Sequence, residues 1–183
     1  MTHPHTTVRL PHALLGLLTM SVLAGCGAPG ATPASPDLQL EAGQAGLRTP
    51  VTPQKVSAPL TGGWVIQDPA ASDGSAVALL GTADVVSFEL PRNLKAGEYT
   101  VSVVGRGELY LGAPVVSLSS EGGPLGTVTL DNTAYDKRTF GRATLRPGAT
   151  LTLTFLNDEY GGPGMDRNVV IDYLLINQSK SGL

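Results

Sequence analysis

Between Thr150 and Phe155 the chain reads TLTLTF, an alternation that puts Leu151, Leu153 and Phe155 on one side of an extended strand and the threonines on the other. A period of two marks a sheet with one face in a core and one in water. From residue 38 onward short apolar runs recur between Gly, Pro, Asn and Asp, and no window of a dozen residues carries a helical stripe. The expected strands are 38–42, 63–67, 76–80, 85–90, 98–105, 115–119, 126–130, 137–143, 150–156 and 168–176. About ten short strands with turn signals between them favour an all-β fold, a β-sandwich of jelly-roll type, over a closed barrel. Trp64 opens one strand and is expected in the core. The last, 169–176, is apolar on both faces except for Asp172.

The N-terminus reads differently. An apolar run over 13–23 follows Arg9, with no acidic residue before it, and closes on Leu23-Ala24-Gly25-Cys26. That is the shape of an export signal, and the run is too short to span a membrane. Small residues before a cysteine directly after such a run resemble the lipobox of bacterial lipoproteins. The resemblance implies that the Cys26 thiol takes a diacylglycerol and becomes the first residue of the mature chain. An ordinary signal peptide cut at a nearby small residue is the alternative. Residues 27–37, GAPGATPASPD, read as a flexible tether. The expected organisation is therefore 1–25 lipoprotein signal peptide, 26–37 lipidated cysteine and linker, 38–178 sandwich and 179–183 tail. Such a protein is lipid-anchored in the bacterial cell envelope, on its extracytoplasmic side, and meets a membrane through its N-terminal lipid alone.

Much chemistry is excluded. All three histidines, His3, His5 and His12, precede Cys26, which is the one cysteine. A mature chain beginning there has no Ser-His-Asp or Cys-His nucleophile, no zinc site of the usual kind and no internal disulfide. A formal charge of −3 offers no broad cationic surface, so nucleic acid is not an expected partner. Residues 25–30 match G-x-G-x-x-G, but they follow an export signal and open no helix.

One stretch carries chemistry. Residues 157–168, NDEYGGPGMDRN, hold the carboxylates Asp158, Glu159 and Asp166, the carboxamides Asn157 and Asn168, and three glycines. Oxygen donors on a Gly-bent loop suit calcium, which takes six to eight oxygens in loose geometry. A solvated hairpin loop, with Asn and Asp setting the turn, explains the same residues.

The pattern F-x-N-D, a Gly-rich spacer, then D-R-N and an apolar run ending D-Y, here Phe155 through Tyr173, resembles the C-terminal signature of calcium-dependent, xylan-binding carbohydrate-binding modules. Gly97-Glu98-Tyr99-Thr100-Val101, Gly105-Arg106-Gly107 and the segment from Thr133 to Phe140 are similar to further elements of that family. Leu40-Glu41-Ala42 resembles the E-A-E opening of related modules, with Gly43 where a second glutamate stands.

The resemblance implies a β-sandwich and Ca2+ as cofactor. It assigns the functional ion to Asp158 and Asp166, supplemented by Asn168 and loop carbonyls, with Glu159 a further candidate, and a structural ion to Glu41 and Asp172. Sugar hydroxyls would reach the functional ion directly, which suits a chain with one Trp, five Tyr and three Phe. Tyr160 is the aromatic best placed to stack on a sugar, followed by Tyr110 and Tyr135, while Arg167 is expected to act inside the loop. The implied function is non-catalytic binding of a xylan-like polysaccharide or cell-envelope glycan. Two alternatives stand beside it: an envelope structural or protein-interaction lipoprotein on the same fold, and a glycosidase or lyase using paired carboxylates.

Overall fold

A computed structural model describes residues 37–44, 46–48 and 63–179, which form two antiparallel sheets packed face to face. The export signal, Cys26 and most of the tether lie outside the described residues, and no described helix is long and apolar enough to cross a membrane.

The strands are β1 (Leu38–Glu41), β2 (Gly46–Arg48), β3 (Gly63–Gln67), β4 (Ser75–Leu79), β5 (Val85–Glu89), β6 (Gly97–Glu108), β7 (Val115–Ser120), β8 (Gly123–Thr129), β9 (Asp136–Leu145), β10 (Thr150–Phe155), β11 (Glu159–Gly162) and β12 (Met165–Gln178). One sheet runs β3-β4-β12-β6-β9, with β1 and β11 also pairing with β12. The other runs β2-β5-β10-β7-β8. A single turn of 3-10 helix, Ala42–Gln44, follows β1.

The alternation in β10 sets the core as expected. Leu151, Leu153 and Phe155 are fully buried against Val86, Phe88, Val116 and Leu118 of the same sheet and Leu79, Val103, Val169 and Ile171 of the other. Thr152 and Thr154 lie abreast of Ser119 and Ser117, so the outer face of this sheet is lined with hydroxyls. Gly107 is needed where the sheets' loops close in. A Cβ there would stand 2.2 Å from the Leu130 carbonyl oxygen and under 3 Å from the Pro114 ring.

β12 is apolar on both faces because both are covered. Val169, Ile171, Leu174 and Ile176 face the core, while Val170 packs outward with Ala71, Ala76 and Ala78 beneath the β3–β4 turn and Tyr135. The pairing with β6 slips by one residue between Ile171 and Tyr173, a bulge that leaves Asp172 as the extra residue.

Three expectations need correction. Trp64 is not in the core: its side of β3 lies abreast of Ala78 on the outer face, where the edge strand leaves it 52% exposed. The stretch 157–168 is not mainly loop but a hairpin of β11 and the start of β12, turning at Pro163 and Gly164. Two short strands, β2 and β11, were not expected, because three or four residues rich in Gly are too few to show a period.

Candidate functional site

The end of the sandwich where β10 meets β12 is held by a buried cation. Arg167, 8% exposed, donates from Nε to the Tyr110 carbonyl at 2.9 Å, from Nη1 to that of Asn157 at 2.6 Å and from Nη2 to that of Leu111 at 2.6 Å. A guanidinium holds several donors in one plane, so a single side chain ties the β6–β7 loop to the end of β10. The loop bends sharply there, with φ +48 at Leu111 and +122 at Gly112. Asn157 adds a second tie, accepting the Val115 amide at 2.6 Å and donating to the Ala113 carbonyl at 3.1 Å. Tyr110 lies against β11: a Cβ on Gly161 would stand 2.1 Å from its hydroxyl, so a larger residue there would displace the Tyr110 ring.

On this frame the β11–β12 register distributes the acidic residues. Asp166 lies abreast of Tyr160, and Glu159 abreast of Arg167, so Asp166 and Glu159 occupy opposite faces of the hairpin. Asp166 and Asn168, two residues apart, share the outer face. Asn168 is 5% exposed, and its Nδ2 donates to Asp166 Oδ2 at 3.1 Å and Glu108 Oε2 at 2.9 Å. Both contacts are acceptors, so the nitrogen must face them, which leaves Oδ1 as a buried oxygen without a donor. The Asp158 amide donates to Thr82 Oγ1 at 2.9 Å, joining the β4–β5 turn to the same end of the sandwich.

Of the aromatics expected to meet sugar, Tyr160 is 42% exposed beside Asp166. Tyr135 is engaged instead in a network. Its hydroxyl donates to Asp68 Oδ2 at 2.7 Å, and Arg106 Cζ lies 5.7 Å over its ring. Burial, then the hydrogen bond to Asp68, push its phenol well above the ordinary range, while the same bond helps hold Asp68 below the usual carboxylate range. Arg106 pairs with Asp68 at 3.3 Å and with Glu108 at 3.4 Å.

A second acidic site lies on the outer face below. Carboxylate oxygens of Glu41, Asp73 and Asp172 come within 4.8 Å of one another, the one such group among the described residues. Asp172, at the bulge, accepts the Ser72 amide at 3.1 Å and the Ser72 hydroxyl at 2.9 Å, and that hydroxyl is also 3.1 Å from Glu41. The ion pairs among the described residues involve Arg106 and Arg138, and none reaches these acids. Burial raises the Asp172 carboxyl above its ordinary value, and the charges of Asp73 and Asp68 add to the rise against the Ser72 hydrogen bonds.

Glu41 and Asp172 thus meet, as the E-A-E resemblance implies, and Asp73 is the participant that sequence reasoning missed. At Gly43 a Cβ would sit 2.6 Å from Ser75 Oγ, so a side chain there would push that hydroxyl aside. That hydroxyl and the Ser75 amide instead hold Asp73, at 2.8 and 2.9 Å. Ser72-Asp73-Gly74 reads in the sequence as an ordinary turn, and nothing there ties it to a residue on the last strand.

Comparison with known proteins adds a family match over part of the chain. Residues 100–182 match CBM60, described as a Ca-dependent carbohydrate-binding module, xylan-binding. No curated protein matches the chain. Among solved structures, the CBM36-1 domain of a multidomain xylanase from the hindgut metagenome of Trinervitermes trinervoides is 18% identical, with a TM-score of 0.58 over 81% of this chain and 100% of that one. A CBM36 module in complex with calcium and xylotriose is 17% identical, with a TM-score of 0.53 over 76% and 99%. A family 35 carbohydrate-binding module from Clostridium thermocellum is 21% identical, with a TM-score of 0.54 over 76% and 98%. At these identities the solved structures speak for the fold, and the family match speaks for the region that builds β6 to β12. Residues 100–182 are thus similar to a xylan-binding type of carbohydrate-binding module, and the chain shares the β-sandwich fold of the CBM36 and family 35 modules.

Proposed function

We propose that this protein is a lipid-anchored envelope protein that binds a xylan-type polysaccharide through calcium and catalyses no reaction on it. The observation that carries the reading is the buried, donorless Oδ1 of Asn168 beside Asp166, at the Arg167-clamped end of the sandwich. An acceptor held out of water without a donor costs about 1–3 kcal/mol, and a cation or a ligand hydroxyl would remove that cost. The donors here are all oxygen, the chemistry calcium prefers.

Calcium bound there would supply a hard Lewis-acidic centre for vicinal sugar hydroxyls. Asp166, Asn168 and Asp158 would hold it, and Tyr160 offers a ring face to the sugar's C–H surface. The Glu41–Asp73–Asp172 group fits a second, structural ion, because three acids share one place with no basic partner among the described residues. The lipobox-like Leu23-Ala24-Gly25-Cys26 supports anchoring at Cys26 on the extracytoplasmic side. Retention on insoluble xylan in calcium, release by chelator and no liberation of reducing sugar are the expected results. Reducing-sugar release would replace the reading with an enzymatic one. For the anchor, Cys26→Ser should move the protein from the membrane fraction to the soluble one; wild type found soluble would remove this part of the reading.

The raised Asp172 carboxyl gives a pH prediction. The folded group holds its proton above its ordinary 3.8 while the unfolded group releases it there. The metal-free native state therefore binds more protons than the unfolded one, and its stability falls as pH rises from about 4 through the raised value. Asp68 and Asp73, both lowered, act in the opposite sense but below that window. Calcium needs the ionised form, so it should raise the melting temperature at pH 7 and lose this effect as pH falls toward the ordinary carboxylate range. A calcium shift that is the same at both ends would exclude Asp172 from the site.

A further inference from the structure

A carboxamide is nearly symmetric in shape, but its two ends are opposite in chemistry: the oxygen accepts a cation and the NH2 repels one. Shape therefore does not decide which end of Asn168 serves as a ligand; its hydrogen-bond partners do. Asn168 is the first residue of β12 to pair with β6, and it lies abreast of Glu108, the last residue of β6.

The Asn168 Nδ2 group has two hydrogens, and both are used. One goes to Glu108 Oε2 at 2.9 Å and the other to Asp166 Oδ2 at 3.1 Å. Asp166 is itself a ligand of the proposed ion, so its oxygens are shared between the amide and the cation. Glu108 is the partner left to hold the amide alone. Its side chain is 45% exposed and is steadied from the other side by Arg106, whose Nη1 donates to Oε1 at 3.4 Å. Arg106 is anchored in turn: its Nη2 donates to Asp68 Oδ2 at 3.3 Å, and Asp68 also accepts from the Tyr135 hydroxyl at 2.7 Å and the Ala70 amide at 3.0 Å.

We propose that Glu108 is a positioning residue for calcium, which holds the Asn168 amide nitrogen and so leaves Oδ1 as the end offered to the ion. Metal ligands with two different ends are commonly oriented in this way by a carboxylate behind them. The inference rests on the calcium-dependent reading and adds to it the residue that fixes the orientation of one ligand. Glutamine at 108 should reverse the arrangement. Arg106 can only donate, so it draws the glutamine oxygen to itself and turns the glutamine amide toward Asn168. The Asn168 carboxamide then flips to accept that amide, and its own NH2 faces the ion.

The test is calorimetry of the full chain with calcium alone, reading the binding that Asp166→Ala removes, with a thermal melt in chelator to check each fold. Glu108→Gln should weaken this binding by about 10–100-fold. In an Asn168→Asp background the same change should cost no more than about twofold, because a carboxylate presents an oxygen whichever way it turns. Glu108→Asp keeps the charge but withdraws the oxygen by one methylene, and it should lose most of what Glu108→Gln loses. This second comparison decides the matter even where Asn168→Asp does not fold. An equal loss from Glu108→Gln in both backgrounds would make Glu108 a direct ligand or a mere charge, and wild-type affinity in Glu108→Asp would leave its charge alone as the cause; either overturns the positioning role. Wild-type affinity in Glu108→Gln would overturn it too and leave the calcium site standing. A wild type with no calcium binding that depends on Asp166 would overturn both.

Discussion

Replacing Asp166 by alanine should abolish calcium-dependent retention on xylan while leaving the protein folded. Asp166 lies on the outer face of β12, accepts one hydrogen bond from Asn168 and has no role in the core. Loss of a residue that merely supports a metal ligand usually costs 10–100-fold in affinity, so loss of a charged ligand is expected to reach at least the upper end, about a hundredfold. Asp166→Asn keeps an oxygen donor but not the charge and should fall between alanine and wild type. Calorimetry with calcium measures the loss, and a thermal melt in chelator checks the fold. Wild-type calcium and xylan affinity in Asp166→Ala would remove this residue from the site.

Arg167→Met should be the most destabilising single change at this end of the sandwich. It strips donors from the carbonyls of Tyr110, Leu111 and Asn157 together, and each carbonyl left unpaired out of water costs about 1–3 kcal/mol. Loop carbonyls recover some water, so a loss of about 3 kcal/mol is expected rather than the full sum. Calcium affinity should fall too, because the clamp fixes the ends of β10 and β6 around Asp158 and Asn168. Lysine supplies one compact cation in place of a planar fork, and Arg167→Lys should recover only part of both losses. Urea unfolding read beside calcium affinity tests this. A variant as stable as wild type, with unchanged calcium binding, would show that the three bonds do not hold the site.

How far the sequence reached depended on whether the cause was local. The alternation in β10 is local, and its buried and exposed sides lie as TLTLTF dictates. The two-sided burial of β12 was visible as an apolar run, with Asp172 as its exception, but the bulge that accommodates Asp172 has no sequence mark. Trp64 was misplaced because hydrophobicity alone cannot tell a central strand from an edge; among the described residues β3 pairs on one side only. Asp73 was missed because its partners lie on the first and last strands, which only the tertiary fold brings to the β3–β4 turn. Arg167 was expected inside the loop, yet its partners are backbone carbonyls, and no side-chain pattern encodes those. Glu159 stands away from Asp166 because the hairpin pairs it with Arg167, a register that composition does not fix.

Calcium titration of the protein by calorimetry, with and without xylo-oligosaccharide, bears most directly on the calcium-bridged binding of glycan. Saturable calcium binding is expected, tightened by the sugar, with sugar affinity raised by calcium through the same factor, as linkage requires of two ligands sharing one site. Sugar binding of equal strength in calcium and in chelator would contradict it, as would calcium binding that sugar does not alter.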